Sequence, residues 1–251
     1  MSSRKKLRAT RTVSFRQTGL TLIEIMIALL LGVFVIAGVT GMFLSAKQSY
    51  RVQEALSRLQ ENGRFAMDFI GKSIRQADYR NCPDDRVNSL FAMSGVAAIS
   101  GTNGAGTNAD SLTLAWTLGA CGTAPPTQDI YDITILNNPT NTLDPSYKLP
   151  VLRKTNVQLI EGVENMQVFY GVDTDADSSR APNFYTNNPT AAQMEQVTSI
   201  RVSLLLRTVD NNVAAKPLAY TYNGNKITPP AGDLYIRRVF TSTFGIRNRL
   251  P

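Results

Sequence analysis

The chain has 251 residues, enough for one large domain or two small ones, and its 43% hydrophobic content is ordinary for a globular protein. It contains no histidine, which excludes chemistry built on an imidazole base and removes the commonest transition-metal ligand. The formal charge of +7 suggests a nucleic-acid binder only until it is located: Arg4, Lys5, Lys6, Arg8, Arg11 and Arg16 all precede residue 20 with no acid among them, and the other 20 basic residues nearly balance 19 acidic ones.

From Leu20 to Leu44 the chain reads LTLIEIMIALLLGVFVIAGVTGMFL, with Glu24 as its single charge. At 1.5 Å rise per residue this is long enough to span a bilayer. The basic leader in front and the near-neutral chain behind predict a cytoplasmic amino terminus, with the carboxy-terminal portion outside the inner membrane. No A-x-A-like cleavage pattern follows the apolar run, as a secretory signal would require. The suggestive boundary lies before it, at Gln17-Thr18-Gly19 followed by Leu20-Thr21-Leu22-Ile23-Glu24. Here the chain resembles the prepilin signal of type IV pilins and type II secretion pseudopilins. The resemblance implies that a prepilin peptidase cuts after Gly19 and methylates the new amino terminus, Leu20. Family members usually begin with phenylalanine, and Leu20 keeps the large apolar character.

Glu24 carries a physical argument of its own. A carboxylate in hydrocarbon costs a few kcal/mol even on the lenient insertion scale, so it calls for a partner. The resemblance implies that it meets the amino terminus of a neighbouring subunit during filament entry. The alternative is a snorkelling carboxylate helped by the helix dipole.

Beyond the run, Val52, Leu56, Leu59, Gly63, Ala66, Ile70 and Ile74 recur at spacings of three and four, an amphipathic pattern with no proline between Leu20 and Asp78. One helix is predicted from about residue 20 to about residue 77, on the order of 85 Å long. Gly32, Gly38 and Gly41 suit bending or close helix packing. After Cys82-Pro83 the chain turns to strands and loops. The Gly- and Asn-rich stretch 98–111 reads as a mobile surface loop. Strands are predicted at 111–118, 130–136, 149–153, 157–160, 164–171, 197–209 and 234–244. The clearest alternates Ile200, Val202, Leu204 and Leu206 with polar residues, and the stripe on the upper helix can cover that face. The predicted fold class is α+β: a long N-terminal helix, membrane-spanning in its first half and amphipathic in its second, packed on a C-terminal antiparallel β-sheet head. The predicted divisions are a leader at 1–19, a transmembrane or filament-core half at 20–44, an amphipathic half at 45–77 and a periplasmic head at 78–251.

Three head segments carry a second resemblance: Glu161 through Val168 continuing to Asp177, Ser199 through Leu206, and Arg238 through Leu250. They look like the PilW family of minor pilins. That resemblance implies a low-copy structural subunit and not an enzyme. It would join other minor pilins and the major pilin on the inner-membrane assembly platform, prime pilus assembly and sit near the tip. The filament would serve adhesion, twitching motility or DNA uptake. A type II secretion pseudopilin of the J type is the alternative within the superfamily. A membrane-anchored periplasmic enzyme is the alternative outside it, disfavoured because no catalytic motif is present.

Cys82 and Cys121 are too far apart for a redox or zinc motif and are expected to pair outside the cytosol, with two reduced buried thiols as the alternative. Asp173, Asp175 and Asp177 alternate like the start of an EF-hand, but Ser178 replaces its glycine and Phe184 its bidentate glutamate. They remain a candidate calcium site, against a solvated acidic turn as the favoured reading, and no other cofactor is expected. Arg237, Arg238, Arg247 and Arg249 make the carboxy terminus basic. Strand alternation puts the first two on opposite faces, so a solvated or subunit-contacting edge is expected in place of a nucleic-acid site.

Overall fold

The computed structural model describes residues 19–80, 96–104, 108–118, 126–137, 148–175 and 180–250. Cys82, Cys121, Asp177 and the six basic residues of the leader lie outside them. The chain divides into two compact units, residues 1–49 and 50–251. Helix α1, Leu22–Gln76, begins in the first. Within that unit its side chains are almost all exposed, and the helix is long and apolar enough to cross a membrane.

In the second unit the amphipathic part of α1 buries Leu59, Ala66, Ile70 and Ile74 in one core with the strands. An antiparallel sheet of five runs in the order β1 (Ile99–Thr102), β2 (Ser111–Trp116), β3 (Thr127–Asn137), β4 (Lys148–Lys154) and β5 (Val157–Glu161). An antiparallel sheet of four has the order β11 (Arg237–Gly245), β8 (Val197–Arg207), β6 (Val163–Val172) and β7 (Phe184–Thr186). A short hairpin of β9 (Tyr220–Tyr222) and β10 (Asn225–Ile227) and the one-turn helix α2 (Ala191–Glu195) complete the elements before η1, a 3-10 turn at Arg247–Arg249. The α+β expectation is met. The alternating face of Ile200, Val202, Leu204 and Leu206 is fully buried with the helix stripe, because period two and period 3.6 each leave one apolar side to cover. The stretch 98–111 needs correction. Its first residues form β1, pairing Ile99 with Leu114 and burying the Ile99 side chain, because this one isoleucine has core to fill despite its Gly-rich neighbours.

Two phenylalanine rings of β11 pack directly against the backbone of α1. A Cβ on Gly63 would lie 2.5 Å from the Phe240 ring, and one on Gly71 2.5 Å from the Phe244 ring. Eight residues of helix and four of strand both advance about 12–13 Å, so the two rings match the two glycines in step. Polar clamps surround this seam. Ser73 Oγ donates to Asp129 Oδ2 at 2.5 Å and lies 2.8 Å from Tyr131 OH, which donates to the Phe69 carbonyl; Lys154 Nζ pairs with Asp129 at 2.7 Å. Burial pushes the Tyr131 hydroxyl up to about 12, so it remains a donor throughout the physiological range.

The end of α1 is held by the end of the chain. Asn248 Nδ2 donates to the carbonyls of Ala77 and Gln76, at 2.8 and 3.3 Å, which helix geometry leaves without partners. Asp78 turns the backbone at φ +60 and receives Arg249 Nε at 2.7 Å and Arg80 Nη2 at 2.5 Å. Arg249 also donates to the carbonyls of Met194, Glu195 and Val197.

Asp110 joins the two sheets. Its Oδ2 accepts the Val168 N–H at 2.7 Å, its Oδ1 the Gly104 N–H at 2.9 Å, and its own N–H donates to the Met166 carbonyl. Burial raises its carboxyl above the ordinary range, against the pull of those two amides.

Two outcomes are expected. Gly71→Ala should lower stability by about 1–3 kcal/mol, since the overpacking at Phe244 exceeds the gain in helix propensity of about 1 kcal/mol; denaturant melts of the chain in detergent measure it. Because folding raises the Asp110 pKa, the stability tied to its proton is complete below the unfolded value of about 4 and is lost as pH rises through the folded value. Asp110→Asn should therefore be less stable overall, one amide losing its acceptor, yet should show a flatter dependence of melting temperature between about pH 4 and pH 7.

Candidate functional site

The residues singled out at the amino terminus meet at the first turn of α1. Gly19 has open space around the position of a Cβ, and Leu20 is 76% exposed, so the Gly19–Leu20 bond lies accessible just before the helix. Thr21 is the N-cap and Glu24 the third helical residue. Glu24 Oε2 accepts the Thr21 N–H at 2.9 Å and the Thr21 hydroxyl at 2.8 Å, while Thr21 Oγ1 accepts the Glu24 N–H at 3.4 Å. This is a reciprocal capping box. It satisfies donors that a helix start leaves without intrahelical partners, and the carboxylate sits where the helix dipole favours negative charge.

The chemistry available here is recognition of a cation. Cleavage after Gly19 would leave an amine on Leu20, directly before the N-cap whose N–H already touches Glu24. The site thus holds a carboxylate in place at one end of an apolar rod. Thr21 is the residue that reading for Glu24 alone misses. The signal was present: a threonine three residues before a glutamate, ahead of an apolar run, is the capping-box pattern.

The remaining candidates lie in the head. Asp173 is buried, with Arg180 Nη1 at 3.9 Å, and Asp175 Oδ2 accepts Asn183 Nδ2 at 2.8 Å. The structure thus engages these two carboxylates with side chains of the following segment, and among the described residues no three His, Cys, Asp or Glu converge. The basic carboxy terminus does not gather on one face. Arg237, its side chain 7% exposed, lies between Glu164 (Nε to Oε2, 2.7 Å) and Asp233 (Nη2 to Oδ2, 2.8 Å), with Tyr220 and Tyr235 against its guanidinium. Arg207 shares Glu164 and stacks on Tyr235. The expectation of a solvated edge is thus corrected for Arg237 and Arg249, which are interior clamps, because acids distant in sequence fold onto them; Arg238 and Arg247 are exposed.

An apolar helix that starts in a capped Thr-Leu-Ile-Glu turn and ends under antiparallel sheets has the build of a type IV pilin-like protein. Within that class, residues 139–248, less than half of the chain, match the model of the PilW family, the type IV pilus-assembly protein W. The likeness to PilW read from the three head segments is borne out, and those segments prove to be neighbours: they supply β6, β8 and β11 of one sheet. No curated protein matches in sequence. Among solved structures, a type IV-like pilin from Thermus thermophilus is similar with a TM-score of 0.42 and 11% identity, over 77% of this chain and 98% of that one.

Thr21→Val, which keeps the shape and removes the hydroxyl, should weaken the helix start by about 0.5–2 kcal/mol, and Thr21→Ser should not. Amide exchange at residues 22–25 in detergent micelles, several-fold faster in the valine variant alone, is the expected result.

Proposed function

We propose that this chain is the precursor of a minor pilin that primes type IV pilus assembly. It is stored in the inner membrane as a single-pass protein with its amino terminus cytoplasmic and its head periplasmic. Prepilin peptidase cleaves after Gly19 and methylates Leu20. The mature subunit enters the filament when Glu24 receives the amino terminus of a neighbour, and the head meets other minor pilins near the tip. Cys82 and Cys121 are bridged once the head is outside the cytosol. The role is structural and needs no cofactor.

The observation that carries this reading is the junction itself: an exposed Gly19–Leu20 bond, one residue before a capped turn that holds Glu24, the single charge of the apolar run 20–44. The PilW match in the head supports the pilus over other anchored proteins. A charge in that position otherwise costs a few kcal/mol in lipid, so a cationic partner would offset it.

Mass spectrometry of the membrane-extracted protein tests the reading. The wild type should begin at Leu20, whereas Gly19→Val should retain the leader. Glu24→Ala should be processed normally but be absent from sheared filaments. A wild-type chain that keeps residues 1–19 would overturn the proposal, and normal incorporation of Glu24→Ala would remove the role given to that carboxylate.

A further inference from the structure

The head carries one exposed face that neither its core nor its clamps use. On α1, Phe65, Phe69, Lys72 and Gln76 follow one another at alternating spacings of four and three, and Tyr79 continues the line just past the helix end. Phe65 is 48% exposed, Phe69 40% and Tyr79 39%. Aromatic side chains repeated at this spacing form a seam along a helix, the pattern by which one helix receives the knobs of another. Single exposed apolar residues are ordinary, but an aligned set is the mark of a contact surface.

The seam ends in an open groove of about 450 Å³ where Tyr79, Leu118, Arg75, Arg247 and Asn248 join Lys72 and Gln76. Leu118 is 66% exposed in it. Three cations line this groove and no acid does. Lys72 pairs with Asp68 at 2.8 Å, an exposed contact that costs little to exchange. Among the described residues no carboxylate lies within ion-pair distance of Arg75 or Arg247. Arg75 is steadied instead by the Phe244 ring, 5.8 Å from its guanidinium. The groove therefore offers two guanidinium groups beside exposed apolar surface, the composition that favours protein partners.

We propose that this face docks an acidic amphipathic helix of a partner protein, its apolar seam over Phe65 and Phe69 and its carboxylates, gathered at one end, on Lys72, Arg75 and Arg247. Charge complementarity selects the acid, and the heptad-like spacing selects the helix. A nucleic acid fits less well. Its phosphates would have to run on past Lys72 toward Asp68 and Glu61, whose charges repel them, while Phe65 and Phe69 would meet no apolar surface. The inference rests on the head alone and requires neither cleavage at Gly19 nor a role for Glu24.

The test uses the full chain in detergent micelles and fluorescence anisotropy with three labelled probes. The first is a synthetic helix about three heptads long, with leucines at the seam and glutamates toward one end. The second is the same helix with lysines for the glutamates, and the third a single-stranded oligonucleotide. The acidic helix should bind about tenfold or more tightly than the lysine helix, and more weakly as salt rises. Arg75→Glu with Arg247→Glu should abolish that preference, and Phe69→Ser should weaken binding of both helices by about tenfold. Each variant's melting temperature certifies the fold; Arg75→Gln with Arg247→Gln, or Phe65→Ser, replaces the corresponding variant if its melt shifts. Equal binding of the two helices, tighter binding of the oligonucleotide, indifference to the substitutions, or an anisotropy change traced by sedimentation to self-association of the chain would each overturn the proposal.

Discussion

The head is organised by two side chains of β11 that pack against the bare backbone of α1. Two glycines, Gly63 and Gly71, remove the side chains that would stand between them, and two phenylalanines, Phe240 and Phe244, occupy the space. Once that contact is set, the helix stripe of Leu59, Ala66, Ile70 and Ile74 falls on the inner faces of β8 and β6, whose strands are in turn registered to β11. The strands that carry the PilW likeness are these three. Their sequence pattern is then readable as the demand of one surface: to cover the amphipathic part of α1.

Charges are placed at the joints. Ser73, Asp129, Tyr131 and Lys154 tie α1 to β3 and β4; Asp110 ties the five-stranded sheet to β6; Glu164, Arg207, Asp233 and Arg237 tie the segment before β11 to the sheet it enters; Asp78 and Arg249 tie the helix end to the chain end. Buried pairs of this kind add little net stability over apolar packing, but removing one partner strands the other. Their effect is to make one arrangement of the elements much better than its neighbours.

In the first unit the side chains of α1 are almost all exposed, and Glu24, the single charge of the apolar run, is held by its own cap. Thr21 fixes the Glu24 carboxylate at the first turn, where a new amine at Leu20 would arise. The same short segment therefore starts the helix and holds both the proposed cleavage point and the proposed ionic contact for assembly. Those roles coincide because all three depend on what lies at the boundary between the polar leader and the apolar rod.

Much of this was legible without coordinates. Periodicity decided the helix and the main strands, since each element's apolar side repeats with its own geometry within a few residues. The linear order Gly19, Leu20, Glu24 marked the candidate site, and even Thr21 was open to a reader looking for a cap. What the sequence could not disclose were the pairings between distant segments: that Phe240 and Phe244 would sit on Gly63 and Gly71, that Arg237 and Arg249 would be interior clamps in place of a basic tail, and that Ile99 would leave a Gly-rich stretch to become β1. Local spacing determines which side of an element is apolar. Only the tertiary fold decides which apolar sides and which charges meet, because that choice is made by volume and charge neutralisation across contacts far apart in the chain.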